Sequence, residues 1–171
     1  MITTIFLVVL ALRLVSLSIS RRHEKQLIAD GAREYGARTS RLLSVAHVIY
    51  YLSAITEAWL RDVHFDVLSG IATLFLIFSL MVLFTVIRQL GPIWTVKLYI
   101  HPQHTLNRSW LFESFRHPNY FLNIVPEMIG IGLLCHAWAT MIVGLPIYTA
   151  ILAARIQQED EVMKELRDRE D

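Results

Sequence analysis

The sequence predicts an all-α integral membrane protein with five transmembrane helices, the N-terminus outside, the C-terminus cytoplasmic and a cytoplasmic C-terminal helix. Three observations carry that expectation. The apolar residues fall in five long runs. Only 18% of the 171 residues are charged, against about 25% in soluble domains. Lys and Arg collect in alternate segments between the runs. A soluble protein of this length would have too little polar surface to cover five such runs.

Residues 1–20 form the first run, apolar except for Arg13 and a few hydroxyls. It lacks a positive n-region and its basic flank follows it, which is the pattern of a first span and not of a cleaved leader. Residues 42–60 form the second run, broken by His47 and Glu57, and residues 68–87 the third, without any charge. Residues 119–134 and 137–154 form the fourth and fifth, separated only by Cys135 and His136. A bilayer core takes about 20 apolar residues per helix. The tail 155–171 is charged with sparse apolar residues, as expected of a helix that leaves the membrane and lies against its face. The length is that of one domain, residues 1–171.

Charge orients the spans. Residues 21–41 hold Arg21, Arg22, Lys25, Arg33, Arg38 and Arg41; residues 88–118 hold Arg88, Lys97, Arg108 and Arg116; the tail holds Arg155, Lys164, Arg167 and Arg169. The 61–67 turn holds only Arg61, and the 135–136 turn has no basic residue. The positive-inside rule then puts the first loop, the 88–118 loop and the tail in the cytoplasm. The other turns are very short, so spans 2–3 and 4–5 read as antiparallel hairpins. Every polar segment large enough to form a site lies on the cytoplasmic side.

Composition also excludes some functions. The formal net charge is +1, which offers nothing to nucleic acid. The single Cys135 cannot form an internal disulfide, and the seven histidines do not cluster at zinc-ligand spacing, so no metal is expected.

The candidate site starts at Arg116-His117-Pro118-Asn119-Tyr120, where a polar loop re-enters an apolar run. Pro118 suits the first position of a helix, and the free N–H groups of that first turn favour an anionic group. Tyr120, Asn123 and Glu127 are expected on nearly the same helix face. Glu127 is a costly carboxylate inside a span, and such residues face a cavity or a partner. Pro126 beside it frees a backbone carbonyl and is expected to kink the helix. Interhelical hydrogen bonds suffice for His47 and Glu57. Arg155 and Glu159 share a helix face where the last span ends. Their alternative fate is a local ion pair, but Arg before Glu is the less favourable order. A basic and an acidic group at one mouth suit a zwitterionic ligand.

These motifs, preceded by His104-Thr105-Leu106 and followed by Arg155-x-x-x-Glu159-Asp160, resemble the isoprenylcysteine carboxyl methyltransferase family of integral membrane enzymes. Gly31-Ala32-Arg33-Glu34-Tyr35-Gly36 and Trp94-Thr95-Val96-Lys97 look like its short bacterial members. The resemblance implies S-adenosyl-L-methionine as methyl donor, with a cofactor-binding part at about residues 88–171. By position, His104, Thr105, Leu106, Asn107, Phe112, His117, Pro118, Asn119, Tyr120 and Glu159 would bind the donor, and Arg155 would hold the acceptor's carboxylate. The chain departs from the family pattern at Trp110, Phe112, Leu122 and Asp160.

The implied reaction is methyl transfer to a carboxyl or hydroxyl group of a lipophilic or lipidated acceptor drawn from membrane lipid. It would occur at the cytoplasmic face of a bacterial cell membrane. Arg155 is then catalytic by orienting a carboxylate, which needs no base. A hydroxyl acceptor does need one, and Glu127 or His117 is the candidate. Two other readings stand beside this one. Membrane sterol reductases, which use NADPH, also carry an Arg-x-Pro-Asn-Tyr-Phe block, usually followed by Gly-Glu where this chain has Leu122-Asn123. A non-enzymatic scaffold would bind no cofactor at all.

Overall fold

The chain begins with a long helix because nothing in residues 2–29 breaks one: there is no Gly or Pro, and the polar residues 21–26 are mostly good helix formers. The computed structural model describes residues 1–100 and 117–170, with side chains described to residue 164. The elements are α1 (Ile2–Ala29), β1 (Arg33–Tyr35), α2 (Ala37–Leu60), α3 (Val67–Leu90), β2 (Leu98–Ile100), α4 (Asn119–Leu134) and α5 (Trp138–Glu170). Helix α1 therefore outruns its apolar stretch, because a membrane boundary is not a helix boundary. Helix α2 starts before its apolar stretch, at Gly36, whose φ of 62° lies in the left-handed region that Gly adopts without strain.

Helices α1, α2, α3 and α5 are long and apolar enough to cross a membrane. Large apolar side chains such as Leu14, Leu52, Leu74, Met81 and Ile142 point outward from them, as a lipid-facing surface requires. The fourth run differs from the expectation of a full-length span. Helix α4 is a π-helical stretch of 6 residues, Asn119–Ile124, followed by an α-helix of 10 residues. That is short of the ~20 residues a bilayer core takes. The π turn lies directly before Pro126, which lacks the N–H for the preceding turn and crowds it, so the kink expected there takes the form of a widened turn.

The core lies where α4 is enclosed by its neighbours. Tyr50, Tyr51 and Ala54 of α2, Ala72 and Leu76 of α3, Met128, Ile131 and Leu134 of α4, and Tyr148 and Leu152 of α5 are buried together. Ile2, Phe6 and Val9 bring α1 onto the same cluster. Helices α3 and α4 pack closely because of Gly130. A Cβ there would come within 2.9 Å of the Leu76 side chain and 3.4 Å of the Ala72 carbonyl, so a small residue sets the helix separation.

Both ends of the bundle are tied by polar contacts. At one end the Asp66 carboxylate caps α3, accepting from Ser69 N at 2.9 Å, and pairs with His136 at 3.1 Å. Glu57 accepts from Ala139 N at 3.1 Å and Thr140 N at 3.0 Å, which caps α5 from α2. His47 bonds the Tyr148 hydroxyl at 3.1 Å. His47 and Glu57 thus make the interhelical hydrogen bonds expected of them.

At the other end the three basic segments meet. Strands β1 and β2 pair antiparallel, Arg33 opposite Ile100, Glu34 opposite Tyr99 and Tyr35 opposite Leu98. Ser20 Oγ accepts from Val96 N at 3.0 Å, and the His23 ring bonds the Trp94 carbonyl at 2.8 Å. Lys97 joins Glu24 at 3.3 Å and Glu34 at 3.4 Å. This small sheet is an addition to the expected all-α architecture. Its strands have three residues each and lie two whole helices apart in the chain, so no local turn signal announces it.

Candidate functional site

The same end of the bundle holds the predicted site residues that the structure describes, with the exception of Glu127. The His117 carbonyl accepts from Tyr120 N at 3.1 Å and Phe121 N at 3.2 Å, so His117 and Pro118 open α4 as their sequence implies. The wide first turn aims Tyr120 at α5, where its hydroxyl donates to Glu159 Oε2 at 2.6 Å. The His117 ring stacks on Tyr120, centroids 5.7 Å apart. Its Nε2 lies 3.2 Å from Asp160 Oδ1, and its Nδ1 3.8 Å from Glu159 Oε1. Asp160 is the closer partner of the ring, and Glu159 an ion pair at longer range.

Arg155 is 2% exposed. Its Nη1 donates to the Tyr35 carbonyl at 3.4 Å, and its charge acts on both Tyr120 and Glu159. Glu159 therefore forms no local bridge with Arg155 and reaches across to α4. The result is a compact mixed-charge cluster: a buried guanidinium, two carboxylates, an imidazole and a phenol, drawn from two helices. His104, Thr105, Leu106, Asn107 and Phe112 lie outside the described residues. Asn119 turns its carboxamide inward to Asn123 Nδ2 at 2.8 Å, away from the tail.

Glu127 belongs to a second network. Its carboxylate pairs with Arg13 of α1 and accepts from the Tyr51 hydroxyl of α2. Arg13 Nη2 also donates to Asn123 Oδ1 at 2.8 Å, and Ser79 of α3 donates to the same oxygen at 3.2 Å. One buried cluster thus ties four helices together. Tyr120, Asn123 and Glu127 do not act on one face. Tyr120 turns to the tail, and the other two turn to Arg13. The sequence carried a signal for this pairing: Arg13 and Glu127 are opposite charges inside apolar runs, and intramembrane charges pair with one another.

His117 has a titration that can be read out. The nearby Glu159 carboxylate, with Asp160, holds its imidazole above the ordinary value of 6.5, against the opposing effect of burial. Because the folded value is raised, the stabilisation is fully present below pH 6.5 and is lost as pH rises through the folded value. We expect the difference in detergent melting temperature between wild type and His117→Asn to be largest at about pH 6 and to shrink steadily towards pH 9. A difference that stays constant over this range would mean that the imidazole acts by packing alone.

The family model for isoprenylcysteine carboxyl methyltransferase matches residues 71–165, more than half of the chain. The chain belongs to the isoprenylcysteine carboxyl methyltransferase family. The match covers most of α3, all of α4 and most of α5, and so contains the whole His117–Tyr120–Arg155–Glu159 cluster. It makes the chain a membrane methyltransferase by family, in agreement with its long apolar helices, and lends nothing to the reductase alternative. An uncharacterized protein of Haemophilus influenzae is 56% identical over 94% of both chains. The uncharacterized protein YpbQ of Bacillus subtilis is 27% identical over 90% of both. No solved structure matches the chain.

Proposed function

We propose that this family member transfers a methyl group from S-adenosyl-L-methionine to a carboxyl or hydroxyl group of a lipophilic acceptor at the cytoplasmic face of a bacterial membrane. The observation that carries the reading is the gathering of Tyr120, His117 and Glu159 into one cluster between α4 and α5, beside the buried Arg155. In the topology that goes with it, the N-terminus is outside, α4 completes a fifth, shortened crossing, and residues 1–171 form one domain whose donor-binding part is about 88–171.

The residues fit the donor's polar end. Glu159 is a partly buried carboxylate already accepting a hydrogen bond, a suitable partner for an ammonium group. Tyr120 and His117 hold that carboxylate in place. When bound, the donor supplies a methyl group on a sulfonium, already a good leaving group, so the protein contributes mainly positioning and exclusion of water. Arg155 presents a planar fork of N–H donors that matches a carboxylate. Such an acceptor needs no base, and the engagement of Glu127 by Arg13 and Tyr51 supports that choice, because that carboxylate is already occupied. For a hydroxyl acceptor, Glu127 serves as base only if it leaves Arg13, whereas His117 already stands in the cluster.

Calorimetry on the detergent-purified protein separates the readings. We expect S-adenosylhomocysteine to bind and NADPH not to. Binding of NADPH alone, or of neither, overturns the proposal.

A further inference from the structure

The motif around Tyr35 and Gly36 has had no part in the chemistry so far, yet the structure sets it directly against the acceptor end of the cluster. The Tyr35 carbonyl receives Arg155 Nη1. Gly36 follows with φ 62° and begins α2. A Cβ placed on Gly36 would lie 2.7 Å from Gln158 Oε1 and 3.0 Å from Arg155 Nη1. Arg155 and Gln158 are three residues apart on α5 and so close over this corner together. Gln158 Oε1 is buried and has no hydrogen-bond partner among the described residues. Strand β1 is in turn fixed by β2 and by Glu34, whose carboxylate meets Lys97 Nζ at 3.4 Å and the Tyr99 hydroxyl at 3.2 Å. The corner is thus anchored to the segment that leads into the predicted donor loop.

We propose that the Tyr35/Gly36 corner is a positioning element for Arg155: the carbonyl fixes the plane of the guanidinium, and the missing side chain at residue 36 leaves the room in which it lies. This rests on the reading of Arg155 as the acceptor-side group. Guanidinium recognition depends on a planar fork with five N–H donors. One donor held by a backbone carbonyl leaves the others aimed in set directions. A Cβ at 3.0 Å would oblige the guanidinium to give by a few tenths of an ångström, and since a misplacement of about 1 Å in a positioned group costs on the order of 100-fold in rate, a smaller but measurable loss follows. Tyr120 and Glu159, the other polar groups acting on Arg155, belong to the donor side, so residue 36 should govern the acceptor and spare the donor.

Gly31 supplies the control. It also has a positive φ, 89°, but nothing lies within 4 Å of its Cβ position, so Gly31→Ala carries similar backbone strain without the collision. The probe is N-acetyl-S-farnesylcysteine, a prenylated carboxylate, in the full-length protein. We expect Gly36→Ala to lower kcat/KM for this probe by at least 10-fold, mostly through KM, while S-adenosylhomocysteine affinity stays within twofold and Gly31→Ala behaves as wild type. Equal losses in both alanine variants, no loss in Gly36→Ala, or a parallel loss of S-adenosylhomocysteine affinity overturns the proposal. If wild type does not methylate the probe, the acceptor reading fails and the corner is judged by the Arg155 Nε–H resonance, assigned with Arg155→Lys. That resonance should move in Gly36→Ala and stay in place in Gly31→Ala; an unmoved signal overturns the proposal as well.

Discussion

Glu159→Gln is expected to weaken S-adenosylhomocysteine binding by roughly 10- to 100-fold. The substitution keeps the size of the side chain and removes its charge. A hydrogen bond to a charged group is worth about 1.5–3 kcal/mol, and each 1.4 kcal/mol is about tenfold in affinity. In this protein the charge is held by the Tyr120 hydroxyl at 2.6 Å and faces the His117 ring at 3.8 Å. Tyr120→Phe leaves the carboxylate charged and removes only one support, so its effect should be smaller. Calorimetry checks both variants. A Glu159→Gln protein with wild-type affinity would reduce the tail to a helix that only packs against α4.

Arg13→Ala is expected to be the most damaging single substitution for stability. Glu127 has 0% of its surface exposed, and its carboxylate faces Arg13 and the Tyr51 hydroxyl. Removing one partner of a buried ion pair costs about 3–5 kcal/mol, because the other charge is stranded. For a chain of this size that corresponds to a drop of roughly 6–20 °C in Tm. Adding Glu127→Gln to Arg13→Ala removes the stranded charge and should recover most of the loss. Glu127→Gln alone should cost less than Arg13→Ala, since Arg13 keeps Asn123 Oδ1 as an acceptor at 2.8 Å. If the double variant melts no higher than Arg13→Ala, the pair is not what holds α1 to α4.

These two expectations draw on different kinds of information. The mixed-charge cluster was legible in the chain: a Pro-started helix with Tyr120 one turn in, and Glu159 just past the last apolar run, are local features whose spacing survives folding. The donor loop, with His104, Thr105, Leu106, Asn107 and Phe112, lies outside the described residues. The partner of Glu127 was half legible. Arg13 and Glu127 each stood out as misplaced charges, but they are separated by most of the chain, and periodicity assigns a residue to a face without saying which helix that face meets. The π turn before Pro126 is what separates Tyr120 from Asn123 and Glu127, and a kink from proline can be foreseen more readily than the form it takes.

By itself the sequence determined the helical architecture, the long apolar helices, the grouping of three basic segments at one end and the identity of the cluster around His117. It could do so because these follow from local composition: apolar length, charge counts and turn residues act over a few turns of chain. Only the tertiary structure decided that α4 is short, that Glu127 answers to Arg13 and not to the tail, that two three-residue strands clamp distant loops together, and that Gly36 stands against Arg155. Each of these depends on which surfaces are brought into contact when helices pack, and a single close approach, 3.0 Å from a Cβ position to Arg155 Nη1, leaves no trace in the pattern of the chain.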